Sequence, residues 1–381
     1  MSAMHPTFQI RSPFDLAAPA ENGLRRGFTT GTCATAATKA ALMLLQTGSL
    51  PDLVQVSLPD GVHYLTIPVT PMEQFEGWSS AAVIKDAGDD PDQTHRARII
   101  ARVRRNTSGQ IKFLKGEGVG VVTQPGLRIP IGEPAINAVP RAMIRQAVLE
   151  VLETDAPDAG LDVEIGCEHG EVIALRTFNP RLGILGGISI LGTTGVVEPK
   201  SLASFKASIE VYIRVALADN PSQIVLSPGN LGQRFARASL DLPLKQIVQM
   251  SNFVGFALDS VCDTLREAEA TLPLLWVVGH PGKLAKLIDG AWDTHSHRSA
   301  CAVSALMTIA LSKHSSIVPE LLDANSCEVV IERLAQHPCA PAFWISVEDA
   351  IVNVLAARLD RVDAVRVRLF SMDGASLGGT R

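Results

Sequence analysis

Four stretches of this 381-residue chain gather the residue types that bind small ligands. In "RRGFTTGTCATAATKAALMLL", from Arg25 to Leu45, four threonines stand ahead of an alanine-rich run that reads as a helix. Thr30 or Thr32 would cap that helix. The remaining hydroxyls, with free amides, the helix dipole and the charges of Arg25 and Arg26, would suit an anion. In "VIKDAGDDPDQTH", residues 83–95, Lys85, Asp86, Asp89, Asp90 and Asp92 crowd around a Gly88–Pro91 turn. Such carboxylates repel one another unless a metal, an arginine or a cationic ligand group compensates them. Their spacing fits no EF-hand.

The third stretch, "FNPRLGILGGISILGTTGVVEP", residues 178–199, has glycines that would let backbone approach a ligand or act as a hinge. It is neither a Rossmann fingerprint nor a Walker loop. The fourth, "VVGHPGKLAKLIDGAWDTHSHRS", residues 277–299, sets His280, Lys283 and Lys286 where a buried strand turns into a helix, another anion site. His295 and His297 lie two apart and lack a third ligand, so no resident metal is expected. No catalytic triad, glutamate pair or CxxC is present. Cys33 at a helix start raises a nucleophile reading, but its alanine neighbours favour a small packed residue.

Elements must carry these groups. The length suggests two domains. A 46% hydrophobic content supports a sizeable core, and a net charge of −5 argues against nucleic acid as the main partner. Six scattered cysteines read as reduced thiols, and no apolar run is long enough to span a membrane, so a cytoplasmic protein is expected. Residues 1–24 read as a flexible leader without a secretory signal. Residues 25–195 alternate strands and helices, which predicts a layered α+β domain. Expected there are a hairpin over 54–67, a strand–turn–strand over 96–123, a helix over 139–153 and a strand pair over 161–178. From 196 to 381, strand, glycine turn and helix recur in "QIVLSPGN" and "PLLWVVGHPGK", the signature of a doubly wound α/β domain. A last strand is expected over 365–370.

Together, "GFTTGTCATAATKAA", "IKDAGDDPDQTH", "GEGVGVVTQPGLRIPIGEPAINAVPR", "GILGGISILGTTGVVEP" and "VVGHPGKLAKLIDGAWDTHSH" resemble the CbiD family of cobalt-precorrin-5B C(1)-methyltransferases. The order of the motifs matches from about Arg25 to His297. Phe28 and Pro281 stand where that family usually has tyrosine and isoleucine, and "RSACAVSALM" is more apolar than expected after His297. The resemblance implies methylation of an anionic corrin precursor at C-1 by S-adenosylmethionine in anaerobic cobalamin biosynthesis. It also implies an α+β domain joined to a Rossmann-like α/β domain.

On this reading the methyl donor is already activated, so holding two reactants in line and excluding water suffices. Arg25, Thr29, Thr30, Thr32, His280, Lys283 and His295 are then expected to bind substrate carboxylates. Gly183, Gly186, Gly187, Gly192, Thr193, Thr194 and Gly195 are expected to meet the cofactor. Asp86, Asp89 and Asp90 are the expected catalytic carboxylates, steadying the sulfonium or the cofactor's amino group, or else ordering Lys85 and a neighbouring arginine. Two rival classes remain: a nucleotide-dependent small-molecule kinase using Gly183–Gly195, and a non-catalytic tetrapyrrole or cobalt carrier. Homo-oligomerisation is compatible with all three.

Overall fold

The computed structural model describes residues 11–72, 74, 77–152, 160–296, 299 and 301–378. Two compact units divide the chain, Met1–Ser201 and Leu202–Arg381.

In the first unit the elements follow as β1 (Ser12–Pro13), β2 (Gly27–Phe28), α1 (Thr30–Thr47), β3 (Leu53–Ser57), β4 (His63–Pro68), β5 (Thr70–Pro71), β6 (Ser79–Ile84), β7 (Arg98–Arg105), β8 (Ile111–Lys115) and β9 (Val121–Val122). Then come α2 (Ala138–Leu152), β10 (Leu161–Cys167), α3 (Gly170–Ala174), β11 (Ile184–Leu185) and β12 (Val196–Val197). A five-stranded sheet has the order β5-β6-β7-β10-β8, and a smaller one the order β1-β4-β3. Helix α1 packs on β6, β7 and α2. Cys33, Ala34, Ala36, Ala37, Ala40 and Ala41 are all fully buried on it. Small side chains on every side let a central helix be approached closely, which is why this stretch is alanine-rich.

Three expectations change. Residues 11–24 are not a free leader: β1 runs parallel to β4, and the Ser12 and Phe14 amides donate to the Val62 and Tyr64 carbonyls. Residues 1–10 lie outside the described residues. Strands β7 and β8 do not pair with each other, because β10 lies between them, antiparallel to β7 and parallel to β8. The turn between them must span two strand spacings, about 10 Å, and it is fastened to β10 by Asn106 Nδ2 on Asp162 Oδ1 at 2.8 Å. The stretch 161–178 is one strand and a short helix. Where the helix begins, Gly170 lies so close to Gly118 that a Cβ there would meet the Gly118 carbonyl oxygen at 2.1 Å.

The second unit runs α4 (Leu202–Leu217), β13 (Gln223–Ser227), α5 (Asn230–Leu240), β14 (Ile247–Gln249), α6 (Val254–Glu267), β15 (Leu272–Gly279), α7 (Pro281–Leu284), α8 (Val303–Lys313), α9 (Val318–Leu321), α10 (Cys327–Leu334), α11 (Ala340–Ala356) and β16 (Val362–Leu369). Its sheet is wholly parallel, in the order β14-β13-β15-β16. Ile224, Leu226, Leu275 and Val277 join a core with α4, α6, α8 and α11, while Val225, Trp276 and Val278 pack with Ala236 of α5. Both faces are covered, so the strands read as unbroken apolar runs.

Candidate functional site

In the first unit, three of the four chemistry-bearing stretches converge, and they bind one another. Thr29 caps α1, its Oγ1 accepting the Thr32 amide at 3.1 Å. The Thr32 hydroxyl donates to the Gly195 carbonyl oxygen at 2.7 Å. Thr30 Oγ1 accepts the Leu191 amide at 2.9 Å and lies 3.1 Å from the Leu191 carbonyl oxygen. Thr35 turns back onto the Gly31 carbonyl at 2.8 Å. The Gly31 amide donates to Leu191, and the Thr29 amide to Gly195. All four threonines are buried. Thr29, Thr30 and Thr32, expected to bind substrate, instead stitch the start of α1 to residues 189–195.

The acidic stretch is likewise compensated from within. Arg25 grips Asp86 with both terminal nitrogens, at 2.6 and 3.0 Å, and its backbone amide donates to Asp89 Oδ2 at 2.7 Å. The hydrogen bond from Arg25 holds the Asp86 carboxyl below the usual carboxylate range, against a smaller opposing effect of burial. Asp90 Oδ1 accepts the Lys200 amide at 2.9 Å. Lys85, 1% exposed, reaches Asp92 at 2.7 Å. Of the compensating partners considered from the sequence, the geometry supplies an arginine and a lysine. The charges of Asp86 and Arg25 are thereby spent on each other.

The glycines from 183 to 195 answer mostly to the protein's own atoms. A Cβ on Gly187 would meet the Gly118 carbonyl oxygen at 2.2 Å, one on Gly192 would meet Thr29 Oγ1 at 2.4 Å, and one on Gly183 would meet Gln124 Cγ at 2.7 Å. Gly186 alone of the five faces open space, at φ +78°. Thr193 and Thr194 are exposed at the end of this stretch. Cys33 is wholly buried and burial pushes its thiol far up, so it is packing and not a nucleophile.

The second unit presents a different arrangement. From β13 the chain passes to β14 on one side and then to β15 on the other, so the strand order reverses between β13 and β15. In parallel sheets, ligands bind beyond the carboxyl ends of the strands at such a point. The loops Ser227–Asn230 and Gly279–Lys283 meet there, a Cβ on Gly279 lying 3.2 Å from Pro228 Cδ. Gly229 has extended backbone and nothing within 4 Å of where its Cβ would stand. No side chain caps α5 behind it. The end of β14 joins the first of these loops, Gln249 Nε2 bonding Asn230 Oδ1 at 2.6 Å and the Met250 amide donating to the Ser227 carbonyl. Beyond it, Asn252 Nδ2 bonds Asp293 Oδ1 at 2.5 Å and the Thr294 amide donates to the Asn252 carbonyl.

His280 sits within this edge, and only one of its ring nitrogens makes a hydrogen bond; Nε2 and Glu328 Oε1 are buried without one. Nδ1 accepts the Gly282 amide at 3.1 Å, and Nε2 lies 2.5 Å from Glu328 Oε1. The accepting Nδ1 carries no proton, and burial favours the neutral ring. Lys283 is exposed on the first turn of α7; burial of its surroundings and the nearby Lys286 push its ammonium down. His295 is exposed, its amide on Asp293 Oδ1 at 3.2 Å. His297 lies outside the described residues. Sequence reasoning did not single out Ser227–Asn230 as a candidate, although its Pro-Gly after an apolar strand repeats the Pro-Gly of "GHPGK". Among the described residues, no three His, Cys, Asp or Glu side chains gather to hold a metal ion. No helix among them is long and apolar enough to cross a membrane.

Comparisons with known proteins bear on the whole chain. The CbiD family model matches residues 17–199, and the model described as CbiD, C-terminal domain, matches 293–381. The cobalt-precorrin-5B C(1)-methyltransferase of Ralstonia nicotianae is 53% identical over 371 residues, covering 97% of each chain. That of Chromobacterium violaceum is 52% identical over 372 residues, 97% of this chain and 98% of its own. A crystal structure of a cobalamin biosynthesis protein from Archaeoglobus fulgidus is 29% identical and covers 73% of this chain and 85% of its own, at a TM-score of 0.38. With both family models and near full-length relatives in agreement, the chain belongs to the CbiD family.

Proposed function

We infer that the protein is a cobalt-precorrin-5B C(1)-methyltransferase of cobalamin biosynthesis that draws its methyl group from S-adenosylmethionine. The observation that carries this is 53% identity across 97% of both chains with a methyltransferase of that name. When bound, S-adenosylmethionine supplies a methyl group already activated on a sulfonium.

We place the donor at the carboxyl edge of β13 and β15, reading the second unit as Rossmann-like. The residues there fit it. Gly229 leaves open room beside the backbone, and the uncapped start of α5 offers amides to an amino-acid carboxylate. Asn230 Oδ1 and Gln249 Nε2, bonded at 2.6 Å, form a polar wall for hydroxyl or amino groups. Lys283 and His295 stand exposed beside this edge for substrate carboxylates. The chain orients both reactants and excludes water, which suffices when neither needs a strong base. The Asp86, Asp89 and Asp90 carboxylates act in this reading by fixing Arg25 and Lys200 in place.

Six free cysteines, four of them buried, fit a cytoplasmic enzyme. The deciding experiment is incubation with cobalt-precorrin-5B and methyl-labelled S-adenosylmethionine. Label in the corrinoid is expected. No transfer from a substrate preparation that a known family member converts would overturn the assignment.

A further inference from the structure

From Leu175 to Leu191 the chain carries two arginines and no carboxylate. Four large apolar side chains of this stretch stand in solvent: Leu175 is 75% exposed, Leu185 53%, Leu191 49% and Phe178 45%. Four such side chains concentrated in one short segment single it out as a candidate contact surface.

The segment is rigidly built. Asn179 is buried; its Nδ2 donates to the Gly187 carbonyl at 2.9 Å, and its Oδ1 accepts the Ser189 hydroxyl at 3.1 Å. Gly187 is pressed on Gly118, and β11 pairs with β9. Ile184, Ile188 and Ile190 point inward and are buried. The alternation therefore leaves Leu185 and Leu191 outside by construction.

Its backbone donors are largely spent. The Ile188 amide bonds Gly118, Ile190 bonds Ala135, and Leu191 bonds Thr30 Oγ1. What faces outward is hydrocarbon, an aromatic ring, and a glycine tip at Gly186 with nothing near it. Arg181 lies over the Phe178 ring at 5.3 Å, and Arg176 is exposed. A nucleoside cofactor asks for hydrogen-bond donors and acceptors. A broad, flat ring with carboxylate arms asks for exposed apolar side chains with cations near them, and this segment carries both.

We propose that Leu175, Phe178, Leu185 and Leu191 form the platform on which the substrate macrocycle rests, with Arg176 and Arg181 binding its carboxylate arms. This rests on the substrate reading above, and it assigns the glycine-rich stretch to the macrocycle and not to the methyl donor.

The test uses full-length protein carrying Phe178→Ala with Leu185→Gln, and separately Arg181→Glu. Cobyrinic acid, a corrin with free carboxylate arms, is titrated by absorbance; S-adenosylmethionine is titrated by calorimetry. Both variants should weaken cobyrinic acid binding, and raise KM for cobalt-precorrin-5B, by tenfold or more. Melting temperature and S-adenosylmethionine affinity should stay as in the parent. Unchanged corrin affinity overturns the proposal, as does loss of cofactor affinity in its place, or failure of the parent to bind cobyrinic acid. A change in oligomeric state with corrin affinity intact shows a face for a second copy and also overturns it. Corrin binding that weakens as expected in a parent unable to transfer methyl leaves the platform standing and removes the reaction assignment.

Discussion

Thr32 and Gly195 stand 163 positions apart in the chain and 2.7 Å apart in the fold, hydroxyl to carbonyl, with neither group reached by solvent through the threonine. The same carbonyl accepts the Thr29 amide at 3.0 Å. This pair, with Thr30 on Leu191, makes the start of α1 and the glycine-rich stretch one structural unit.

Thr32→Val keeps the shape and removes the donor, so it should cost about 1–2 kcal/mol, while Thr32→Ser should recover most of that. Gly195→Ala should cost a similar or larger amount. Its φ is +85°, and the added Cβ would stand 2.6 Å from Leu58 Cδ2. Urea denaturation measures both. Losses below about 0.5 kcal/mol would mean the clasp contributes little.

Two neighbouring ion pairs should behave differently. Arg25–Asp86 is bidentate but half exposed, so a double-mutant cycle should return only about 0.2–1 kcal/mol. Asp86 is held low in the folded state, so its contribution is present above the ordinary carboxylate range and fades as pH falls through and below it. Lys85–Asp92 buries a lysine almost completely. Asp92→Asn strands that ammonium and should cost about 3–5 kcal/mol, whereas Lys85→Met with Asp92→Leu should recover much of the loss. Equal coupling energies from the two cycles would refute the contrast.

What was legible in the sequence depended on whether the cause was local. Val54, Val56, Tyr64, Leu65 and Ile67 alternate around a Pro-Asp-Gly turn, and β3 and β4 pair as that pattern dictates. The apolar runs at 224–226 and 274–278 end in Pro-Gly turns, and both are parallel strands feeding helices. No local pattern could reveal that β10 enters between β7 and β8, since the inserting strand lies more than forty residues on. Glycines 183–195 were recognisable as special, but a close approach demands glycine equally when the neighbour is a ligand or the chain's own Gly118. The acidic stretch had the same ambiguity, because Arg25 and Lys85 satisfy carboxylates as well as any bound cation does.

Gly229→Val tests the cofactor site without disturbing the fold. The backbone there is extended, a conformation any residue adopts, and nothing lies within 4 Å of the added Cβ. The melting temperature should be unchanged, and the branched side chain should lower S-adenosylmethionine affinity at least tenfold by filling the space before α5. Calorimetric titration decides it, and undiminished affinity would move the donor elsewhere.

Glu348 gives the second unit a pH dependence of unusual sign. Its side chain on α11 is buried; Oε1 accepts the Leu369 amide at 2.8 Å, and Arg368 lies 3.4 Å from Oε2. A Cβ on Gly378 would meet Oε2 at 2.4 Å, so the C-terminal segment lies against the carboxyl group. Burial pushes the carboxyl up to about 7 from an ordinary value of 4.5; Asp349 adds to the rise, while the Leu369 amide and Arg368 oppose it. The folded protein therefore holds a proton that the unfolded chain has released. Stability from this group is greatest below pH 4.5, falls as pH rises from there to about 7, and is level above. Glu348→Gln keeps an acceptor for Leu369 and removes the titration. Relative to the parent it should gain on the order of 3 kcal/mol between pH 4 and pH 8. Urea denaturation of both proteins across that range should give diverging curves. Parallel curves would mean that Arg368 keeps the carboxylate ionised throughout.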